Sequence, residues 1–206
     1  MDRHGWDERY AASERTFPLE PNRLVAEEVA GLRPGRALDL AAGAGRHAVW
    51  LAAGGWDVVA VDHSIVGVRR ARARARAEGR RVAFAVADVH RLRFPPRRFD
   101  LVLAAFFHPR PPDRAALYRA VAQALAPGGT LLLVSYDLAN LTEGSGGPRD
   151  PDLLLQPIRL ADELRALGLE VGRADSVTLG VPGPDGADVA EVKVVDAVIR
   201  ATAPTG

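Results

Sequence analysis

These 206 residues contain no cysteine, which excludes disulfides, thiolate nucleophiles and cysteine-ligated metals together. Lysine occurs once, as Lys193, so nearly all positive charge is arginine. Neither charge sign dominates: 27 Lys+Arg stand against 26 Asp+Glu, a net +1. No global field therefore draws the chain toward nucleic acid or anionic lipid. No apolar run reaches the ~18 residues of a membrane span. The charged start, Met1-Asp2-Arg3-His4-Gly5-Trp6-Asp7, lacks the apolar stretch of a secretion signal. The expectation is a cytoplasmic protein with neither a membrane nor a nucleic-acid partner. The five histidines (His4, His47, His63, His90, His108) show no metal-ligand spacing, and a G-x-S-x-G nucleophile elbow is missing.

What is present is a hydrophobic content of 48% with 26% charged residues, the balance of one globular domain over 1–206. Short apolar runs alternate with helical stretches, which argues for a parallel α/β sheet. Strands are expected at Ala37 to Ala41, Asp57 to Asp62, Arg81 to Ala87, Phe99 to Ala104 and Thr130 to Tyr136. Helices are expected from His47 to Ala53, from a Ser64 N-cap to Glu78, from an Asp113 cap to about Ala126, and near Leu160 to Leu167. Asn140 to Pro151 reads as a long polar loop, either a lid or a solvated connection. Glu170 to Leu179 and Val189 to Arg200 read as an antiparallel pair around the turn cluster Pro182-Gly183-Pro184-Asp185-Gly186. Residues 1–33 form a helical lead-in.

The most informative stretch is Asp39-Leu40-Ala41-Ala42-Gly43-Ala44-Gly45-Arg46. Gly43 and Gly45 allow a sharp turn at the end of the first strand and a close approach of backbone to ligand, with free N–H groups on the next helix. Asp62, at the end of the second strand, stands where a carboxylate accepts both ribose hydroxyls of an adenosine group. Asp88 closes the third strand and is placed to accept from an adenine amino group, with Val89 against the ring. Each aspartate alone reads equally as a helix or loop cap; together they mark consecutive strand ends, where open α/β sheets bind ligands. Gly43-Ala44-Gly45-Arg46-His47-Ala48 also matches G-x-G-x-x-A, so an NAD-dependent oxidoreductase is the alternative. A charged Asp39 within the first strand and the antiparallel final pair count against it.

With Leu125-Ala126-Pro127-Gly128-Gly129-Thr130 leading into a strand, these residues resemble the class I S-adenosylmethionine-dependent methyltransferases. Trp6-Asp7-Glu8-Arg9-Tyr10, Gly45-Arg46-His47 with Trp50-Leu51-Ala52, and Val61-Asp62-His63-Ser64 are most similar to the small bacterial enzymes related to tellurite resistance and, more distantly, to thiopurine methyltransferase. The resemblance implies a Rossmann-like, doubly wound sheet of seven strands, mostly parallel with an antiparallel last strand. It also implies S-adenosylmethionine as cofactor, with S-adenosylhomocysteine as product. Its ligands would be Asp39, Gly43, Gly45, Arg46, Asp62, His63, Asp88, Val89 and Ala104, with Trp6 and Tyr10 closing over the methionine part. Ala41 departs from the family's first loop glycine.

Methyl transfer is a displacement that positioning alone can accelerate. Phe106, Phe107, His108 and Tyr136 stand where they could line an acceptor pocket, with His108 as a general base and Tyr136 beside it. Core packing of the phenylalanines is the competing reading. Without a strong base, the expected acceptor is a small thiol or chalcogen oxyanion, in a monomer or homodimer; a cofactor binder without turnover is the non-enzyme alternative. Arg69, Arg70, Arg72, Arg74 and Arg76 read as a solvated helix face rather than an RNA surface.

Overall fold

A computed structural model describes residues 2–12, 19–181 and 192–205. The β-branched and leucine runs form seven strands: β1 (Arg36–Leu40), β2 (Asp57–Asp62), β3 (Val82–Val86), β4 (Phe99–Ala105), β5 (Leu125–Tyr136), β6 (Glu170–Val181) and β7 (Val192–Thr202). They lie in one sheet in the order β3-β2-β1-β4-β5-β7-β6. Neighbours from β3 through β5 pair in parallel, while β7 runs antiparallel to both β5 and β6. The winding direction reverses between β1 and β4, so the carboxyl ends of those strands splay apart and open a crevice.

Successive strand residues face opposite sides, and both sides are buried here. One side packs Leu38, Val102, Leu133 and Ile199 under Val121, Leu160 and Leu164, from helices α5 (Pro111–Ala124) and α7 (Pro157–Ala166). The other packs Leu101, Leu103, Leu132 and Val198 under Leu24 and Leu51, from α2 (Arg23–Val29) and α3 (Arg46–Ala53). Each fully buried leucine contributes about 1.5–3 kcal/mol relative to exposure. Helix α4 (Ile65–Ala77) lies along β3 and β2, α1 (Arg3–Ala12) lies on α4, and the one-turn α6 is Asn140–Glu143.

The Ser64 cap of α4 forms as expected, its Oγ accepting the Gly67 N–H at 2.9 Å. Helix α5 differs: it starts at Pro111, with Arg110 as its cap residue, and Asp113 lies in its first turn. Proline lacks the N–H that a cap would satisfy and presets the helical φ, so Pro111 and Pro112 nucleate the turn without a side-chain cap. Strand β5 reaches back to Leu125 through Pro127-Gly128-Gly129, with a register shift opposite Phe99. A Cβ on Gly129 would lie 2.6 Å from the Phe99 carbonyl, so glycine permits that close pairing. The loop from 140 to 151 is structured. The Asn140 amide donates to the Gly146 carbonyl at 3.1 Å, and its Oδ1 accepts the Val195 N–H at 2.8 Å. The turn at Pro182 to Gly186, and Val189, lie outside the described residues. On α4, the Arg72 guanidinium donates to the Phe84 carbonyl and Arg74 to Glu78, while Arg69 and Arg76 are exposed. Among the described residues no helix is long and apolar enough to cross a membrane.

Candidate active site

The crevice is organised by carboxylates at the ends of β1 and β2. Asp62 is buried and uses both oxygens: Oδ2 accepts the Gly43 N–H at 2.8 Å and Oδ1 the Ser64 N–H at 2.7 Å. It therefore ties the glycine loop to the start of α4. A carboxylate offers about four acceptor positions, so two remain for a ligand's hydroxyls. Asp39 is 1% exposed, and its Oδ2 takes no hydrogen bond. Burial and the nearby Asp62 push its carboxyl up to about 8. Such an orphaned acid suits a ligand that brings a cation.

The loop turns through left-handed conformations at Ala41 (φ 56), Gly43 (φ 56) and Gly45 (φ 80). Glycine adopts these freely, whereas alanine at Ala41 carries about 1 kcal/mol of strain. Ala41→Gly is therefore expected to raise unfolding stability by about 1 kcal/mol, read from the urea midpoint at an unchanged denaturant slope.

Helix α1 closes the crevice from above. Asp7 Oδ1 accepts the Ser64 hydroxyl at 2.6 Å and the Val66 N–H at 3.0 Å. Those two bonds hold the Asp7 carboxyl below the usual carboxylate range. Tyr10 is buried against Gly67, with its hydroxyl over Gly43, where any Cβ would collide with it. Burial and the negative field of Asp62 raise the Tyr10 phenol, which stays neutral. Trp6 stacks on Tyr10 at 5.8 Å, and Arg9 lies over the Trp6 ring at 5.4 Å.

Arg46 and His47 anchor the lead-in to α3. Arg46 Nε donates to the Glu20 carbonyl at 2.6 Å, and His47 Nε2 accepts the Asn22 N–H at 3.2 Å. Burial, aided by Arg46, holds His47 down at about 3, so it is a neutral acceptor. The guanidinium of Arg46 is thus engaged by the chain itself. His63 keeps a sealed Nε2 without a hydrogen-bond partner. Asp88 is exposed and caps a short 3-10 turn, accepting the His90 N–H at 3.0 Å. Val89 and Ala104 point into the core beside Val61 and Leu40. The structure thus gathers Tyr10, Asp39, Gly43, Gly45 and Asp62 at one place, places Trp6 over them, and sets the Arg46 and Val89 side chains into the scaffold.

The ends of β4 and β5 form the second half of the crevice. His108 Nδ1 lies 3.0 Å from the Leu153 carbonyl and 3.3 Å from Ser135 Oγ. A carbonyl only accepts, so Nδ1 carries the proton and Nε2 is the free basic nitrogen. Burial lowers the His108 pKa, opposed by the Leu153 bond. Its ring stacks on Tyr136 at 6.0 Å, and Phe106 meets Tyr136 edge-on at 5.4 Å. Phe106 sits at φ 54, a strained conformation that aims its ring at Tyr136. Gly147 lies against the face of Tyr136, where a Cβ would come within 2.8 Å of the ring. The segment pinned by Asn140 is therefore a fixed cover over Tyr136. Phe107 instead packs beside the core, near His90.

Sequence reasoning missed Asp7, Gly67, Asn140, Gly147, Asp137 and Asp196. Only Asp196 gave a signal, as a lone acid within an apolar strand. A large open cleft of about 1520 Å³, lined by Leu138, Ile158, Arg173 and Ser176, lies between α7 and edge strand β6. It contains neither the glycine loop nor Asp39, Asp62 or Asp88, so size does not identify the chemistry here. Among the described residues no group of three acids or histidines could hold a metal ion.

Residues 37–129 match the methyltransferase-domain family. The 27-O-demethylrifamycin SV methyltransferase of Amycolatopsis mediterranei is 32% identical over 85% of this chain and 68% of its own length. A ubiquinone/menaquinone biosynthesis C-methyltransferase of a Shewanella species is 33% identical over 53% of this chain and 46% of its own. The chain spans about half the length of several curated relatives that it matches. A solved structure concerning conversion of a disulfide bond into a thioacetal group during echinomycin biosynthesis superposes with TM-score 0.74 at 25% identity, covering 99% of this chain and 93% of that one. TehB from Haemophilus influenzae shares the fold, with TM-score 0.74 at 16% identity, over 96% of this chain and 67% of its own. The antiparallel β7 inserted between β5 and β6 belongs to the same architecture and departs from the six-strand dinucleotide-binding order. The chain belongs to the class I S-adenosylmethionine-dependent methyltransferases.

Proposed function

We propose that this protein transfers a methyl group from S-adenosylmethionine to the thiol of a small molecule, with His108 as the general base. The observation that carries this reading is the contact between His108 Nδ1 and the Leu153 carbonyl: an acceptor there commits Nδ1–H and leaves Nε2 as a base beside the Tyr136 ring.

The strand-end residues fit the cofactor. The orphaned carboxyl of Asp39 suits its ammonium, the spare lone pairs of Asp62 suit its ribose, and the left-handed turns at Gly43 and Gly45 let backbone approach it. Asp88 and His63 are proposed adenine-side contacts, with Trp6 and Tyr10 covering the opposite end. S-adenosylmethionine, when bound, supplies an electrophilic methyl group on a sulfonium. The chain's own contribution is to hold, orient and shield. Helix α1 excludes water through Trp6 and Tyr10, while Phe106 and Tyr136 bound the acceptor on an aromatic surface. His108 Nε2 takes the thiol proton, and its lowered pKa keeps it unprotonated at pH 7. A soft, polarizable sulfur needs only that weak base. The buried acid Asp196, opposite Tyr136, disfavours an anionic chalcogen acceptor. The echinomycin-related structure, itself associated with sulfur chemistry, supports this choice.

The test is S-adenosylhomocysteine formation with a thiol panel, comparing wild type with His108→Gln. General bases contribute ~10²–10⁴-fold; because thiols ionise partly unaided, the expected loss in kcat is about 10–50-fold at pH 7. The wild-type acid limb should lie below pH 6.5, the ordinary histidine value, and vanish in the variant. Equal kcat and an unchanged acid limb would remove His108 from the chemistry.

A further inference from the structure

Among the buried polar groups to which the mechanism gives no binding role is the carboxyl of Asp196. It stands in the apolar run Val194-Val195-Asp196-Ala197-Val198 of β7 and is 2% exposed. Its Oδ1 is sealed from solvent and has no hydrogen-bond partner. Burial, with the negative charge of Asp137 added to it, pushes Asp196 up to about 6. Asp137 is already satisfied, with Oδ1 accepting the Ala139 N–H at 2.8 Å and Oδ2 the Ser176 hydroxyl at 2.6 Å. The pair thus holds negative charge with one member unpartnered, an arrangement that proteins retain at cost unless something compensates it.

Its position indicates what compensates it. The β5–β7 register sets Asp196 directly opposite Tyr136, and directly paired residues of antiparallel strands share a face. The carboxyl therefore lies beside the tyrosine that His108, Phe106 and Gly147 surround, where burial, with the field of Asp196 added to it, raises the Tyr136 phenol. That place is three strands along the sheet from β1 and the glycine loop, on the acceptor side of the crevice.

We propose that Asp196 is the specificity residue of the acceptor, holding a cationic amine borne on the same small molecule as the reacting sulfur, so that the substrate class is an aminothiol. This rests on the thiol-methylating reading above. An ammonium supplies both what Oδ1 lacks, a donor, and what the acid pair lacks, a positive charge; a hydroxyl supplies only the first. Asp196 acts by positioning: it anchors the acceptor's far end while the sulfur reaches His108.

Cysteamine and 2-mercaptoethanol are two-carbon thiols that differ in ammonium against hydroxyl. The ratio of their kcat/KM values is measured in wild type and in Asp196→Asn, so that their intrinsic difference in thiol acidity cancels. The expected result is an order-of-magnitude fall in the cysteamine preference, located in KM, with S-adenosylhomocysteine affinity unchanged within about twofold as the check on folding. An unchanged ratio overturns the proposal while leaving thiol methylation standing. In parallel, saturation-transfer NMR follows cysteamine against the S-adenosylhomocysteine-loaded protein. A transfer signal that disappears in Asp196→Asn supports the subsite even if no thiol is turned over, in which case the thiol reading alone fails. A signal that persists in the variant, or is missing in wild type, overturns it.

Discussion

Replacing Asp39 with asparagine is expected to stabilise the empty protein at pH 7 and to weaken cofactor binding by ~100-fold, two effects of opposite sign from one carboxyl. In the folded chain the group is 1% exposed and titrates at about 8; unfolded, it returns to about 3.9. Between those values the folded state keeps a proton that the unfolded state has released, so stability declines as pH rises across that window. At pH 7 the gap spans about three units, worth on the order of 4 kcal/mol. Asparagine carries no titrating proton and keeps the oxygen that accepts the Ala48 N–H. Urea unfolding at pH 5 and pH 8 should therefore show a loss in wild type that the variant lacks. The binding effect runs the other way because an ammonium rewards only the ionised carboxyl. Cofactor binding at pH 7 should release a proton in wild type, visible by calorimetry in buffers of different ionisation enthalpy, and none in the variant. A variant less stable than wild type at pH 7, or one with unchanged S-adenosylhomocysteine affinity, would show that Asp39 is satisfied within the protein.

The parts of this site that could be read from sequence are those set by neighbours in the chain. Asp39 to Gly45 is one strand end and one turn, and Val61-Asp62-His63-Ser64 is another, so the pairing of glycines with acids follows from local pattern and the rule that parallel strands end together. The Ser64 cap is local in the same way. The elements that complete the crevice are joined by contacts across long separations. Asp7 reaches Ser64 and Val66, Asn140 reaches Val195, and Asp196 lies opposite Tyr136. No periodicity in either segment announces such pairs. Asp113 illustrates the reverse: a residue suited to capping is displaced by two prolines that start α5 two residues earlier. Arg46 shows how a residue in a motif can be spent on the scaffold, since its guanidinium is turned to Glu20.

Asp62→Ala should separate the two roles that converge on one carboxylate. In the structure its oxygens hold the Gly43 and Ser64 N–H groups. Alanine leaves both donors buried without partners, at about 1–3 kcal/mol each. For a chain of this size, about 2–4 °C of thermal midpoint accompanies each kcal/mol, so a fall of roughly 5–15 °C is expected without any ligand. If the remaining lone pairs also hold ribose hydroxyls, affinity for S-adenosylhomocysteine falls further, by ~10³-fold in all, because loop order and ligand bonds are lost together. The two losses are resolved by comparing S-adenosylhomocysteine with its 2′-deoxy analogue. Wild type should discriminate between them by about tenfold, the value of one hydrogen bond to a charged acceptor, and Asp62→Ala should not discriminate at all. Discrimination that survives in the variant would assign the ribose to another group and leave Asp62 as the tie between glycine loop and helix. A thermal midpoint that does not move would instead mean that the loop keeps its shape without the carboxylate, so that Asp62 serves the ligand alone.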